Sequence, residues 1–192
     1  MKLLRAWTHS SQACIATIGN FDGLHLGHQS VIRQVQDKAT HLGLASTVIS
    51  FEPLPAEYLR QPPPSRILPL RDKLLYLQSL QLDQFACLHF NQALAEMEPE
   101  AFIQDILLDG LKVRALVVGD DFRFGCDRSG DFAFLQQQAF VVENTPTVAK
   151  DCLRISSTRI RQAIQESDFD LAAQLLGRPY MIAGHIKHGD KI

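Results

Sequence analysis

Cys14-Ile15-Ala16-Thr17-Ile18 runs directly into Gly19-Asn20-Phe21-Asp22-Gly23-Leu24-His25-Leu26-Gly27-His28, and a helical pattern follows. The first five residues form an apolar, β-rich run that reads as a buried parallel strand. From Gln29 to Leu42, Val31, Ile32, Val35 and Ala39 recur at helical spacing. Open α/β sheets hold their ligands at such strand–turn–helix junctions, at the carboxyl ends of the strands. The turn suits a triphosphate. Backbone N–H groups at a helix N-terminus point at an anion, and the helix dipole favours negative charge there. Glycines let the backbone come close. The imidazoles of His25 and His28 can donate to charge that develops on a reacting phosphate. Zinc is the weaker reading of this pair. A zincin needs a Glu between the histidines and a third ligand, and here Leu26 and Gly27 fill that space.

Working outward, further β-rich runs alternate with helical stretches. Leu44 to Phe51, Phe85 to Phe90, Ala115 to Gly119 and Phe140 to Glu143 read as strands. Leu70–Leu80 and Pro99–Gly110 read as helices, with Pro99 marking a start and Gly110 an end. Alternation on this scale predicts an α/β fold, a parallel sheet with helices on both faces. Pro62-Pro63-Pro64 falls in a connection before the Leu70 helix. Near the end, Arg159–Glu166 and Phe169–Leu176 read as short helices, the second capped by Asp168 and stopped by Gly177 and Pro179. Tyr180 to Gly189 then alternates as a strand without a partner, the opening of a further unit.

The bulk numbers narrow the class. One domain is the default for 192 residues, and 46% hydrophobic with 21% charged residues is ordinary globular composition. A net charge of −2 gives no general attraction to nucleic acid or membrane, so neither is expected as a partner, and a phosphate ligand must be held locally. No oligomeric state is read from the chain. Cys14, Cys87, Cys126 and Cys152 form no C-x-x-C pair and read as reduced thiols of a cytoplasmic protein. Met1–Trp7 lacks a signal-peptide apolar core, and no apolar run approaches the ~20 residues of a membrane span.

A second phosphate-like feature lies at Ser156-Ser157-Thr158-Arg159-Ile160-Arg161. Its hydroxyls, at a helix N-terminus, can cap the helix or bond phosphate oxygens. Arg161 falls one turn in and could reach back to a phosphate. Phe51-Glu52-Pro53-Leu54-Pro55 and Asp120-Asp121-Phe122-Arg123-Phe124-Gly125 follow strands and bring aromatics and carboxylates to the same sheet edge. The rings could stack on a flat ligand or belong to the core; an acid such as Asp121 could hold a metal or a ring N–H.

With these segments in place, the chain resembles the N-terminal FMN adenylyltransferase module of the bacterial bifunctional riboflavin kinase/FAD synthetases. The matching segments are Gly19–His28, Phe51–Pro55, Val117–Gly125, Ile155–Arg161 and Leu176–Gly189. The resemblance implies a Rossmann-like nucleotidylyltransferase fold and the reaction FMN + ATP → FAD + diphosphate, with Mg²⁺ and no covalent enzyme intermediate. It implies that residues 1–178 form the adenylyltransferase domain and 179–192 a truncated start of the kinase domain. No kinase activity is then expected, and FMN must come from elsewhere. Gly19, Asn20, Phe21, Asp22, Gly23, His25, Gly27, His28, Ser156, Ser157, Thr158 and Arg161 would hold ATP. His25, His28 and Arg161 would act in catalysis. Phe51, Glu52, Pro53, Asp121, Phe122 and Phe124 would face the flavin, with Asp121 also on the metal. The Asp131–Val142 stretch is shorter than the family's, which puts the stability of the following strand in question. Other readings are a nucleotidylyltransferase joining CTP or ATP to a different phosphate, and a non-catalytic flavin- or nucleotide-binding remnant.

Overall fold

A computed structural model describes residues 1–5, 10–119, 121–150 and 152–184. Trp7, Asp120 and residues 185–192, which carry parts of three segments discussed above, lie outside the described residues.

A six-stranded, wholly parallel sheet organises the molecule. Its strands are β1 (Lys2–Leu4), β2 (Cys14–Ile18), β3 (Ala45–Glu52), β4 (Gln84–His89), β5 (Val113–Val118) and β6 (Val141–Asn144), in the spatial order β1-β4-β3-β2-β5-β6. The chain lays down β2, β3 and β4 toward one edge and then crosses to β5 and β6 on the other side. The order reverses between β2 and β5, and the crevice outside their carboxyl ends is where such sheets bind ligands.

β2 is buried along its whole length, as a central strand covered on both faces must be. Its alternate residues feed two cores. Cys14, Ala16 and Ile18 pack with Phe102, Ile103 and Ile106 on one face. Ile15 packs on the other with Ile32 and Val35 of α1 (Leu26–Leu42) and Leu77 of α3 (Leu70–Ser79). The expected helices on both faces are therefore present. Helix α1 stops at Gly43, whose left-handed φ of 65° lets its N–H reach Ala39 O and Thr40 O. Between α1 and β4 the chain also forms α2 (Pro55–Leu59).

Several expectations need adjustment. The predicted 99–110 helix begins as α-helix but runs as π-helix over Phe102–Gly110, with Leu111 N bonded to Ile106 O at 2.9 Å. The i→i+5 winding still puts Phe102, Ile103, Ile106 and Leu107 into the core. The shortened Asp131–Val142 segment keeps a helix of only five residues, Phe132–Gln136, capped by Asp131, which accepts from Phe134 N at 2.8 Å. The strand after it forms nonetheless, pairing with β5 from Ala115↔Val141 to Val118↔Asn144. The strand expected at Tyr180–Gly189 is not formed over residues 180–184, which have no ladder partner; the remainder lies outside the described residues. A two-stranded antiparallel ribbon, β7 (Ala149–Lys150) and β8 (Leu153–Arg154), was not legible beforehand. With α4 (Gln92–Ala95), α5 (Pro99–Ala101) and α6 (Phe132–Gln136) lying between β4 and β6, the ribbon leads into α7 (Ser157–Gln165), and α8 (Phe169–Leu176) follows. Ile155, Ile160, Leu175 and Leu176 form a third apolar cluster with Ile67.

Candidate active site

A cavity of about 560 Å³ opens at the carboxyl ends of β2 and β5. Gly19, Asn20, Phe21, His25, Gly27 and His28 line it from the β2–α1 turn, and Ser156 and Ser157 from the start of α7. Two sequence segments some 130 residues apart thus share one site, at the point where the sheet order reverses.

His25 is the N-cap of α1 and is 6% exposed. Its Nδ1 accepts the backbone N–H of His28 at 3.3 Å, so the ring proton of the neutral imidazole sits on Nε2. The two imidazoles stack, with centroids 3.6 Å apart and 15° between planes. Burial, helped by the positive charge of Arg154, pushes the His25 pKa down to about 4. Burial and the adjacent His25 likewise lower that of His28. Both rings are therefore neutral at pH 7 and can offer a ring N–H without bringing charge. His28 Nδ1 is buried and meets no protein partner among the described residues. Gly27 makes the stack possible: a Cβ there would lie 3.1 Å from His25 Cε1 and 3.2 Å from Nδ1.

At the α7 end, Ser156 Oγ caps the helix by accepting from Arg159 N at 3.2 Å, which leaves its own proton for an anion. Ser157 Oγ donates to the Asp22 carbonyl at 2.8 Å. Its hydroxyl proton ties the two halves of the site together. On the β5 side, Asp121 and Phe122 line the cavity. Asp121 pairs with Arg154 at 2.7 Å, and the hydrogen bond from Arg154 holds its carboxyl below the usual range.

Other expected site residues face elsewhere. Asp22 is 1% exposed; it accepts from Ile67 N at 3.0 Å and Leu68 N at 3.2 Å. Arg161 donates to Asp22 Oδ2 at 2.5 Å and to Ser65 O at 2.6 Å. Asp22 and Arg161 thus bind each other beneath the site, and neither lines the cavity; nor do Gly23 and Thr158. Phe124 is a core residue, packed between Phe102 and Phe134 with Phe122 stacked against it. Phe51 packs edge-on against Phe90. Glu52 is ion-paired with Arg66, which also binds Glu57. Pro53, after a cis peptide bond, is not on the cavity wall. Of the six expected flavin contacts, Asp121 and Phe122 reach the cavity.

Four functional-looking side chains escaped sequence reasoning. Arg154 lines the cavity; a basic residue two positions before the Ser156-Ser157 cap was the available signal. Lys73, Gln29 and Arg178 carried none. Lys73 reaches Asn20 O, Gln29 bridges Leu24 O and Leu176 O, and Arg178 bonds Gly23 O and Leu24 O from over the Tyr76 ring.

Comparisons with known proteins bear on this geometry. The chain is 46% identical over 185 residues to a bifunctional riboflavin kinase/FMN adenylyltransferase of Pseudomonas fluorescens, covering 94% of this chain and 60% of that protein. It is 42% identical to the enzyme of that description from Haemophilus influenzae and 40% identical to that from Escherichia coli. Those matches cover all of this chain and 65% and 64% of the relatives. The chain thus spans about three-fifths of the length of these relatives. Among solved structures, a protein described as a macrolide-efflux protein from Streptococcus pneumoniae superposes with a TM-score of 0.83 at 25% identity, over 94% of this chain and 72% of that one. A pantoate-beta-alanine ligase from Francisella tularensis gives 0.50 at 16% identity, over 92% and 85% of the two chains, a likeness of fold alone. No helix among the described residues is long and apolar enough to cross a membrane. The FAD synthetase family model matches residues 8–159, most of the chain and all of the cavity-forming turns, so this chain belongs to the FAD synthetase family.

Proposed function

We propose that this chain is an FMN adenylyltransferase that makes FAD and diphosphate from FMN and ATP in the reducing cytoplasm, where its four cysteines stay unpaired. The observation that carries the reading is the single cavity joining the neutral histidine pair to the N-terminus of α7, with Phe122 on its opposite rim.

A phosphate oxygen of FMN attacks the α-phosphorus of ATP in line. The new P–O bond forms as the bond to the bridging oxygen breaks, and diphosphate leaves with that electron pair. Such a step needs positioning and charge stabilisation rather than a covalent intermediate. His25, with its proton held on Nε2, and His28 donate to the charge that develops on the transferring phosphoryl group. The α7 N-terminus and the Ser156 hydroxyl hold the ATP phosphates. Arg154 is placed to take the FMN phosphate. Its pair with Asp121 is exposed on both sides and so costs little to exchange for a phosphate. The Phe122 ring offers a stacking face to the isoalloxazine.

Mg²⁺ enters with ATP. Among the described residues no group of three or more His, Cys, Asp or Glu side chains gathers to hold a cation; Asp121, released when Arg154 turns to the phosphate, is the carboxylate on the cavity wall that would hold it. Its other partners would be the substrate phosphates, the usual mode for this metal, and it would supply positive charge to the leaving diphosphate.

The test is chromatographic detection of FAD, with diphosphate release, from purified chain, FMN, ATP and Mg²⁺. FAD is expected from FMN. None is expected from riboflavin, which lacks the attacking phosphate, or after chelation of the metal. A folded chain that makes no FAD from FMN overturns the proposal; a different phosphate acceptor taken up in a substrate panel would reassign it within the superfamily.

A further inference from the structure

The turn between β2 and α1 is held from behind. Two of its non-glycine residues, Phe21 (φ 47°) and Leu24 (φ 46°), lie in the left-handed region. Such residues carry backbone strain and persist only where their surroundings force them. The forcing groups can be named. Lys73, on α3, is 1% exposed and donates from Nζ to Asn20 O at 2.8 Å. Ser50 Oγ, on β3, donates to the same carbonyl at 3.2 Å. A carbonyl oxygen has two acceptor directions, and both are used.

The lysine is an expensive way to make this bond. Burial, with Arg66 adding to it, holds its pKa below the ordinary range against the pull of Asp22, Glu52 and Cys87. Leu77, one turn on from Lys73 in α3, is fully buried and apolar, so an apolar side chain would suit the packing. What the charge supplies is the pinned Asn20 carbonyl. The C=O and N–H of a trans peptide point in opposite directions, so pinning that oxygen sets the direction of the Phe21 N–H. Asn20 and Phe21 line the cavity; Lys73 does not.

We propose that Lys73 is a positioning residue for adenylyl transfer, acting through the Asn20 carbonyl to hold the strained turn that presents Phe21 and the His25 cap to the substrates. The proposal rests on the FMN adenylyltransferase reading. Its test compares the intact chain with K73M, K73Q and S50A. Replacing a buried charge by an apolar side chain of similar volume is often neutral or stabilising, so K73M is expected to melt no lower than the parent. Its kcat is expected to fall about 10- to 100-fold, as small misplacements near reacting atoms do, with KM for FMN little changed. K73Q, a neutral donor, should recover part of kcat. S50A removes the other donor and should lower kcat about threefold, on the same misplacement argument. Unchanged kcat in folded K73M overturns the proposal; if K73M does not fold, unchanged kcat in S50A does so. The amide resonances of Phe21 and Leu24 in the free protein give a readout independent of turnover. They should shift in K73M or S50A, and resonances that stay put in both variants overturn the proposal. Absence of FAD from the parent chain strikes the functional reading alone.

Discussion

Two uncharged, stacked imidazole rings line the cavity. His28 stacks on His25 at 3.6 Å, and its buried Nδ1 meets no protein partner among the described residues. Under the proposed mechanism, replacing His28 by alanine removes a transition-state donor. Steady-state kinetics should show kcat about 10²-fold lower, with smaller change in KM; parent-like turnover would remove His28 from the mechanism. The same scale explains why some motif residues are not what their chemistry suggests. Phe122 and Phe124 are both aromatic and two positions apart, yet one lines the cavity and the other packs between Phe102 and Phe134. Asp22 looks like a ligand-binding acid and is a buried brace, accepting two backbone N–H groups and Arg161.

At the scale of the element, α1 is built around its first turn. His25 closes the helix end with its own side chain, an unusual task for an imidazole that fixes the ring's orientation and tautomer together. Gly27 leaves the space that the ring occupies. By helix propensity alone, alanine at position 27 should stabilise α1 by up to about 1 kcal/mol. By geometry, its Cβ would press on His25 at 3.1 Å, and the cap bond and the stack keep that ring from yielding. Gly27→Ala is therefore expected to lower kcat about tenfold, on the misplacement argument, without a matching fall in the thermal midpoint. Kinetics and melting on one preparation check this, and parent-like kcat would show that the ring can move. The hydrophobic spacing of α1, α3 and α8 marked each helix to within a few residues, because 3.6-residue periodicity is local. The π winding of Phe102–Gly110 was not visible, since the same apolar residues suit either helix.

Across the whole molecule, the site is the meeting place of segments that the sheet topology brings together. Asp22 joins the β2–α1 turn to the Ile67–Leu68 backbone and to α7 through Arg161. Asp22→Ala leaves a half-buried guanidinium and two backbone amides without their acceptor, and should cost about 2 kcal/mol by urea denaturation; a loss within 0.5 kcal/mol, roughly that of an ordinary surface change, would deny the brace. The histidines add a pH dependence. His25 titrates near 6.5 when unfolded and at about 4 when folded, so between those values the unfolded chain binds a proton that the folded chain refuses. Stability is full above the unfolded value and falls as pH drops through the window, by ~3 kcal/mol for His25 alone. His28 shifts in the same direction. Urea midpoints at pH 7, 5.5 and 4.5 should fall for the parent and fall less for His25→Gln; equal slopes would contradict the buried, neutral His25.

By itself the sequence determined the parallel α/β architecture, the turn that carries His25 and His28, and the capped helix start at Ser156. Each is written in a contiguous pattern: an apolar run, a glycine turn, a helical repeat, a cap. Only the tertiary structure decided which of the polar and aromatic residues line the cavity. Arg161 could reach a phosphate or Asp22, 139 positions away, and the fold gave it Asp22. Lys73 looked like any surface lysine of an amphipathic helix until packing closed over it. The physical reason is that periodicity reports which face of an element is buried. Hydrogen bonds and ion pairs depend on which distant partner the sheet order places within about 3 Å.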